Sequence, residues 1–309
     1  MQPQKWLTVH PLNQVDSPGA ARLRAAVAVS KGSRAGIAGR SRFDDVMERV
    51  APPTGVTFEV DTIGGISGLW ARPARSKTRA AIIHAHGGWF NLGTARAYRH
   101  FVGQLAASAG VNAFIPDYRL APEYPFPAAV TDVEACYRGL AGRGITKIAV
   151  TGDSAGGALA LVLLAITSAQ DSDGDVAPVG AVAISPVTDL ALTGESYQTR
   201  AEADPFFTKP QVAALVAAYL GKTDPKNPLA SPMYGDLRGL PPIRIQVGDD
   251  ELLLDDSRRY VERAVTAGVD ARLDVWMGMP HGFVAYTREF DAARQALKAI
   301  GAFLAERLS

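Results

Sequence analysis

The sequence predicts an α/β protein: a mostly parallel central sheet flanked by helices, with a helical cap inserted late in the chain. Three observations predict it. Short apolar, partly β-branched runs alternate with helix-length runs from residue 80 onward. That rhythm breaks once, between Asp189 and Pro241, where no strand signal occurs. A glycine-rich turn, Gly152 to Gly157, joins an apolar strand to an alanine- and leucine-rich helix.

In chain order, residues 1–50 read as two short amphipathic helices, at 20–29 and 43–50, joined by a loop at 31–36. Nothing in this region reads as part of a sheet. Strand-like runs at 56–60 and 66–71 flank Gly64-Gly65 and predict a hairpin. Strands then follow at 80–85, 111–116, 147–151, 179–184, 243–247 and 271–276. Helices alternate with them at 95–109, 128–140, 158–166, 257–267 and 292–308. The interval that breaks the rhythm holds a helix at 209–220, the pair Phe206-Phe207 and a proline-rich loop at 224–232. An interruption of that length reads as an inserted lid. The expected organisation is a core of residues 51–190 and 223–309. Residues 1–50 and 191–222 then form a cap over the strand ends, where open α/β sheets bind ligands.

The 309 residues are 47% hydrophobic and 20% charged, which suits one large domain with an insertion or two modest ones. Lys+Arg number 32 against 31 Asp+Glu, a balance that argues against a nucleic-acid or membrane-surface binder. Cys136 stands alone, so neither an intrachain disulfide nor a thiolate metal cluster is available. Its helix also carries Val133, Tyr137 and Leu140, and it reads as packing. The N-terminus lacks the apolar stretch of a signal peptide. The longest apolar helix-like run, 155–166, falls short of the roughly 20 residues of a membrane span. A soluble, cytoplasmic protein without membrane insertion is expected. The last helix spaces Leu297, Ile300, Leu304 and Leu308 as a stripe, read first as core and second as a homodimer contact.

The chemistry centres on Gly152-Asp153-Ser154-Ala155-Gly156. Strand, Gly-X-Ser-X-Gly turn and helix form the order of a nucleophile elbow, with Ser154 on strained backbone at a helix N-terminus. The alternative is an ordinary glycine-rich turn gripping a phosphate. A serine nucleophile needs a base. Of His10, His84, His86, His100 and His281, only His281 lies in a loop after the last strand, where the order serine, acid, histidine requires it. His84 reads as packed in a strand, His100 as structural. The acid belongs on the loop after strand 243–247, which reads Gly248-Asp249-Asp250-Glu251. Chain order alone leaves Asp249, Asp250 and Glu251 open. An oxyanion hole needs backbone donors, and His86-Gly87-Gly88-Trp89 follows a strand where one set belongs, with Ala155 N–H supplying another.

With these elements in place the chain resembles the hormone-sensitive-lipase-like family of α/β-hydrolases, the bacterial family IV carboxylesterases. The motifs are His86-Gly87-Gly88, Asp117-Tyr118-Arg119-Leu120-Ala121-Pro122-Glu123, Gly152-Asp153-Ser154-Ala155-Gly156-Gly157 and His281-Gly282-Phe283. The likeness covers roughly residues 55–309. It implies an α/β-hydrolase fold, Ser154 as nucleophile, His281 as general base, and Gly87, Gly88, Trp89 and Ala155 as the oxyanion hole. It implies no metal and no organic cofactor. Arg119, Glu123 and Asp153 are expected to pair and hold the loops near Ser154. Two departures stand out. Trp89 occupies a position where the family usually has a small residue. The family's acid precedes a leucine by two residues and an aspartate by four; Glu251, with Leu253 and Asp255, fits that frame, with Asp250 as the alternate.

The implied reaction is hydrolysis of short- to medium-chain acyl esters of small molecules. Amidase or lactonase chemistry on the same triad is an alternative, as is a non-catalytic ligand receptor on the same fold. Trp89, Phe206 and Phe207 are the expected pocket walls, with Trp6 and Tyr197 as further candidates.

Overall fold

The computed structural model describes residues 4–32, 36–169 and 176–309; residues 33–35 of the expected N-terminal loop lie outside it. Its strands are β1 (Leu7–His10), β2 (Val56–Ile63), β3 (Ile66–Pro73), β4 (Lys77–Ala85), β5 (Val111–Pro116), β6 (Lys147–Asp153), β7 (Pro178–Ile184), β8 (Ile243–Asp250) and β9 (Ala271–Pro280). Its α-helices are α1 (Ser17–Val27), α2 (Arg40–Glu48), α3 (Ala95–Ala109), α4 (Ala128–Gly142), α5 (Ala155–Ser168), α6 (Ser196–Thr199), α7 (Lys209–Leu220), α8 (Leu254–Thr266) and α9 (Asp291–Arg307).

The strands form one sheet in the order β1-β9-β8-β7-β6-β4-β5-β3-β2. The hairpin β2–β3 is antiparallel, and β3 also meets β5 antiparallel; the other neighbours run parallel. Successive strand residues face opposite layers, as pleating requires. Ile83, Val150 and Ala183 point toward the layer of α4, α5 and α8, where Leu140, Leu163 and Tyr260 pack. Ile82, Ala149 and Val182 point toward α3 and α9, where Phe101, Leu105, Ile300 and Leu304 pack. Both faces are therefore covered, which explains why these strands read as near-continuous apolar runs.

The stripe on α9 belongs to this second core: Ile300, Leu304 and Leu308 are buried. Cys136 is also buried, its thiol donating to the Ile63 carbonyl at 3.4 Å, and burial pushes its pKa up to about 12. Among the described residues, no helix is long and apolar enough to cross a membrane.

One expectation fails. The N-terminal region does contribute to the sheet, because β1 pairs in parallel with β9 from Leu7↔Leu273 to His10↔Trp276. The run is only 4 residues and half exposed, so neither length nor alternation reveals it. Cross-strand chemistry holds it. His10 stacks on Trp276 at 3.8 Å and bonds the Asp274 carboxylate at 2.7 Å. Trp6 precedes β1 at the strand beginnings, where its carbonyl accepts Leu273 N–H at 2.8 Å. That is the opposite end of the sheet from Ser154, so Trp6 is not a pocket wall.

The same N-terminal segment caps the last helix. Buried Asp16 accepts Asp291 N–H at 2.6 Å and Ala292 N–H at 3.0 Å, satisfying two first-turn donors of α9 that its own chain neighbours leave open. Asp16→Ala is therefore expected to lower stability by about 2 kcal/mol. A shift of the urea unfolding midpoint at unchanged slope would register it.

Candidate active site

Ser154 ends β6 and opens α5. Its backbone sits at φ 54, ψ −120, a conformation that a residue with a Cβ rarely takes. The two flanking glycines make it attainable. A Cβ on Gly152 would strike the Gly156 carbonyl, and one on Gly156 would strike the Ala85 carbonyl of β4. Ser154 N–H donates to Ile184 O at 2.8 Å and its carbonyl accepts Val187 N–H at 3.1 Å, so neighbouring β7 locks the turn. Ala155 follows at the first position of α5, where an N–H has no intrahelical acceptor.

The acid loop resolves the three-way ambiguity by geometry. Glu251 is fully buried and its Oε2 meets His281 Nδ1 at 2.7 Å. Its Oε1 accepts Ser185 Oγ–H at 2.7 Å and Gly248 N–H at 2.8 Å. Asp250 points elsewhere and is held by Arg24 of α1. Asp249 accepts Gly278 N–H and faces Arg200 at 3.8 Å. Only Glu251 reaches the histidine.

His281 is pulled two ways. Burial disfavours its charged form, but the Glu251 charge and hydrogen bond, with the more remote charges of Asp204 and Asp153, win. Its pKa lies above the ordinary 6.5. Asp204 is buried between α6 and α7 along the chain and accepts Phe206 N–H, Phe207 N–H and Leu252 N–H at 2.8, 2.9 and 2.9 Å. Nothing in the sequence distinguished this residue. It ties the turn before α7 to the residue after Glu251, and burial raises its pKa.

The donor loop follows β4. Gly88, Trp89 and Phe90 all have positive φ, at 113, 54 and 62. Among the described residues, Gly88 N–H and Trp89 N–H donate to no protein acceptor. Gly87 differs from expectation: its N–H already donates to Asp153 Oδ1 at 3.0 Å. A Cβ at Gly87 would collide with the other Asp153 oxygen, so glycine lets this carboxylate close over the loop. Gly87 therefore braces the loop, and the amides left open are those of Gly88, Trp89 and Ala155.

Asp153 also accepts Tyr98 Oη–H at 3.1 Å and faces His84 Nε2 at 3.3 Å. The expected trio of Arg119, Glu123 and Asp153 does not form. Arg119 pairs with buried Asp132 at 2.7 Å, and Glu123 pairs with Arg40 at 2.8 Å. Arg40 also donates to Asn91 O at 2.8 Å, so α2 reaches the donor loop. The segment 117–123 still supports that loop. Tyr118 Oη–H donates to His86 O at 2.6 Å, and Ala121 N–H donates to Phe90 O at 2.9 Å. His86 stacks on Tyr118 at 4.2 Å, and burial lowers its pKa, consistent with a structural imidazole.

Trp89 turns its ring inward and is 3% exposed. It meets Phe207 edge-on at 5.5 Å, and Phe207 meets the His281 ring edge-on at 5.2 Å. Phe206 packs against Phe207 at 6.1 Å. Tyr197 is buried, with Lys209 Nζ 5.7 Å from its ring centroid. Among the described residues, no three or more His, Cys, Asp or Glu side chains are grouped to hold a metal ion.

Comparison with known proteins adds a family. Residues 82–285 match the alpha/beta hydrolase fold family. An acetyl-hydrolase of Streptomyces hygroscopicus is 39% identical over 248 residues, 80% of this chain and 82% of that protein. An esterase of Acinetobacter venetianus is 35% identical, covering 78% of this chain and 79% of its own length. A crystal structure of an esterase from the bacterial hormone-sensitive lipase family superposes with a TM-score of 0.89 at 36% identity, over 95% of this chain and 99% of that one.

The balance at His281 is directly measurable. With Glu251→Gln the opposing charge is gone and burial dominates, so the His281 pKa is expected to fall below 6.5. Histidine-resolved NMR titration of both proteins would check it; an unchanged midpoint would contradict the pairing.

Proposed function

The chain belongs to the alpha/beta hydrolase fold family, within the bacterial hormone-sensitive-lipase-like esterases, and is a serine carboxylesterase acting on a small-molecule ester; from that premise we propose that Ser154, His281 and Glu251 are its triad. The observation that carries this reading is the buried Glu251–His281 hydrogen bond at 2.7 Å; the positive φ of Ser154, just after β6, supports it.

The steps follow from the roles. His281 Nε2, with Nδ1–H held by Glu251, takes the Ser154 hydroxyl proton as Oγ attacks the ester carbonyl. The carbonyl oxygen gains charge and is met by the open N–H groups of Gly88, Trp89 and Ala155. Each such donor is worth roughly 10²–10³ in rate. The tetrahedral species collapses to an acyl-enzyme as imidazolium protonates the leaving alcohol. Water then enters, gives a proton to His281 and releases the acid, restoring Ser154. Glu251 orients the imidazole and stabilises the imidazolium that forms in each half-reaction.

The proposed substrates carry short to medium acyl chains. Trp89, Phe207 and Phe206 form an aromatic wall from the donor loop to the cap, and Phe207 rests on His281 itself. The acetyl-hydrolase name of the Streptomyces relative favours the short end. The cap comprises residues 191–222 with most of the N-terminal segment, apart from β1. Arg24 and Lys31 support that grouping, because both donate to cap carbonyls, those of Ala203 and Ala201.

Ser154→Ala is expected to abolish turnover of p-nitrophenyl butyrate; wild-type rates in that variant would end the triad reading. Glu251→Gln should lose far more kcat than Asp250→Asn, because only Glu251 touches His281. The general base must be neutral, so kcat/KM should fall as pH drops through the raised His281 pKa, above 6.5. On a graded acyl panel, Trp89→Ala should raise the ratio of octanoate to acetate kcat/KM. Flat, near-zero activity of the wild type across the panel would favour a binding role.

A further inference from the structure

A second serine at the site is strained and has no part in the steps above. Ser185 follows β7 with φ 47 and is completely buried. Glycine would take that conformation freely, whereas a residue with a Cβ takes it at a cost. Its backbone N–H is bonded to Gln246 O of β8 at 2.8 Å, which fixes it against the strand that leads to Glu251. Its hydroxyl has two partners. It donates to Glu251 Oε1 at 2.7 Å and accepts Gly282 N–H, on the residue after His281, at 3.2 Å.

These contacts divide the carboxylate's freedom. Oε1 is held by Ser185 and Gly248, leaving Oε2 to face His281 Nδ1 at 2.7 Å. Gly248 belongs to the acid's own loop. Ser185 follows a different strand, β7, and also accepts the N–H of the peptide that joins His281 to Gly282. A hydroxyl suits this place because it donates to a carboxylate and accepts from an amide at once. Alanine and glycine can do neither.

We propose that Ser185 is a positioning residue for the esterase reaction, holding the Glu251 carboxylate and the His281 loop in one frame. It acts through Glu251, so the proposal rests on the triad assigned above. Loss of the hydroxyl frees the carboxylate to rotate and lets the Gly282 peptide move relative to it. Displacements of this kind, even below 1 Å, cost catalysis more than binding, on the order of tenfold or more.

The test is steady-state hydrolysis of p-nitrophenyl butyrate by Ser185→Ala, Ser185→Gly, Glu251→Gln and the Ser185→Ala/Glu251→Gln double variant, with melting temperatures recorded alongside. Ser185→Ala should lose roughly tenfold in kcat with KM within about twofold. Ser185→Gly should show the same loss although it relieves the left-handed backbone, and it guards against a folding failure of the alanine variant. In the Glu251→Gln background, Ser185→Ala should cost less than about twofold, because no charge remains to be aimed. Three results would overturn the proposal: kcat near wild type in Ser185→Ala, full activity in Ser185→Gly, or the same fold loss on both backgrounds. Wild-type activity in Glu251→Gln would instead remove the triad on which the proposal stands.

Discussion

The left-handed backbone of Ser154 is the constraint around which the catalytic end of the molecule is arranged. A serine at φ 54 persists only if its surroundings over-determine it. Here the Gly156 carbonyl and Ala85 of β4 stand so close that neither Gly152 nor Gly156 has room for a Cβ, and Ile184 of β7 and Val187 just after it bond the serine peptide on both sides. The sharp turn aims α5 at the site, and with it the open Ala155 N–H. The parallel sheet thus supplies the tension that the turn alone lacks.

Three loops meet this elbow, and each is held by side chains from elsewhere. Asp153 grips the loop after β4 through Gly87 N–H, so the residue before Ser154 also holds the loop that carries the open Gly88 and Trp89 amides. Asp204 joins the turn before α7 to Leu252, the neighbour of Glu251. Arg40 and Arg24, both from the N-terminal segment, bond Asn91 O and Asp250. Carboxylates and guanidiniums suit such work because several directional bonds converge on one rigid group. Placed around a buried histidine, the carboxylates also contribute the field that keeps its pKa up.

Trp89 gives the site its individual shape. The backbone there is in the left-handed region, which glycine would tolerate best, yet tryptophan occupies it. Its ring is buried edge-on against Phe207, just before α7, so the strained loop after β4 packs against that segment. The aromatic contacts continue to His281, whose ring Phe207 meets edge-on.

Most elements were legible in the sequence because apolar periodicity and glycine punctuation are local: β5, α3 and α7 fall where the pattern places them. Ser154 and His281, the proposed nucleophile and base, were legible for a related reason, since the Gly-X-Ser-X-Gly turn is a local motif and chain order places His281 after the last strand. The remaining features required tertiary structure. The strand β1 forms only because Trp276 and Asp274, more than 260 residues away, receive His10. Gly87 N–H looks like an oxyanion donor until Asp153 is seen to occupy it. Arg119 takes Asp132 rather than Asp153, because partner choice among like charges depends on distance rather than sequence spacing. Chain order left Asp249, Asp250 and Glu251 open. The resemblance favoured Glu251, and only in the folded chain do Arg24 and Gly278 engage the first two while His281 meets the third. Sequence determined the kinds of groups and the strands that carry them; folding decided which group faces which, because hydrogen bonds and ion pairs act over a few ångströms between segments that are remote along the chain.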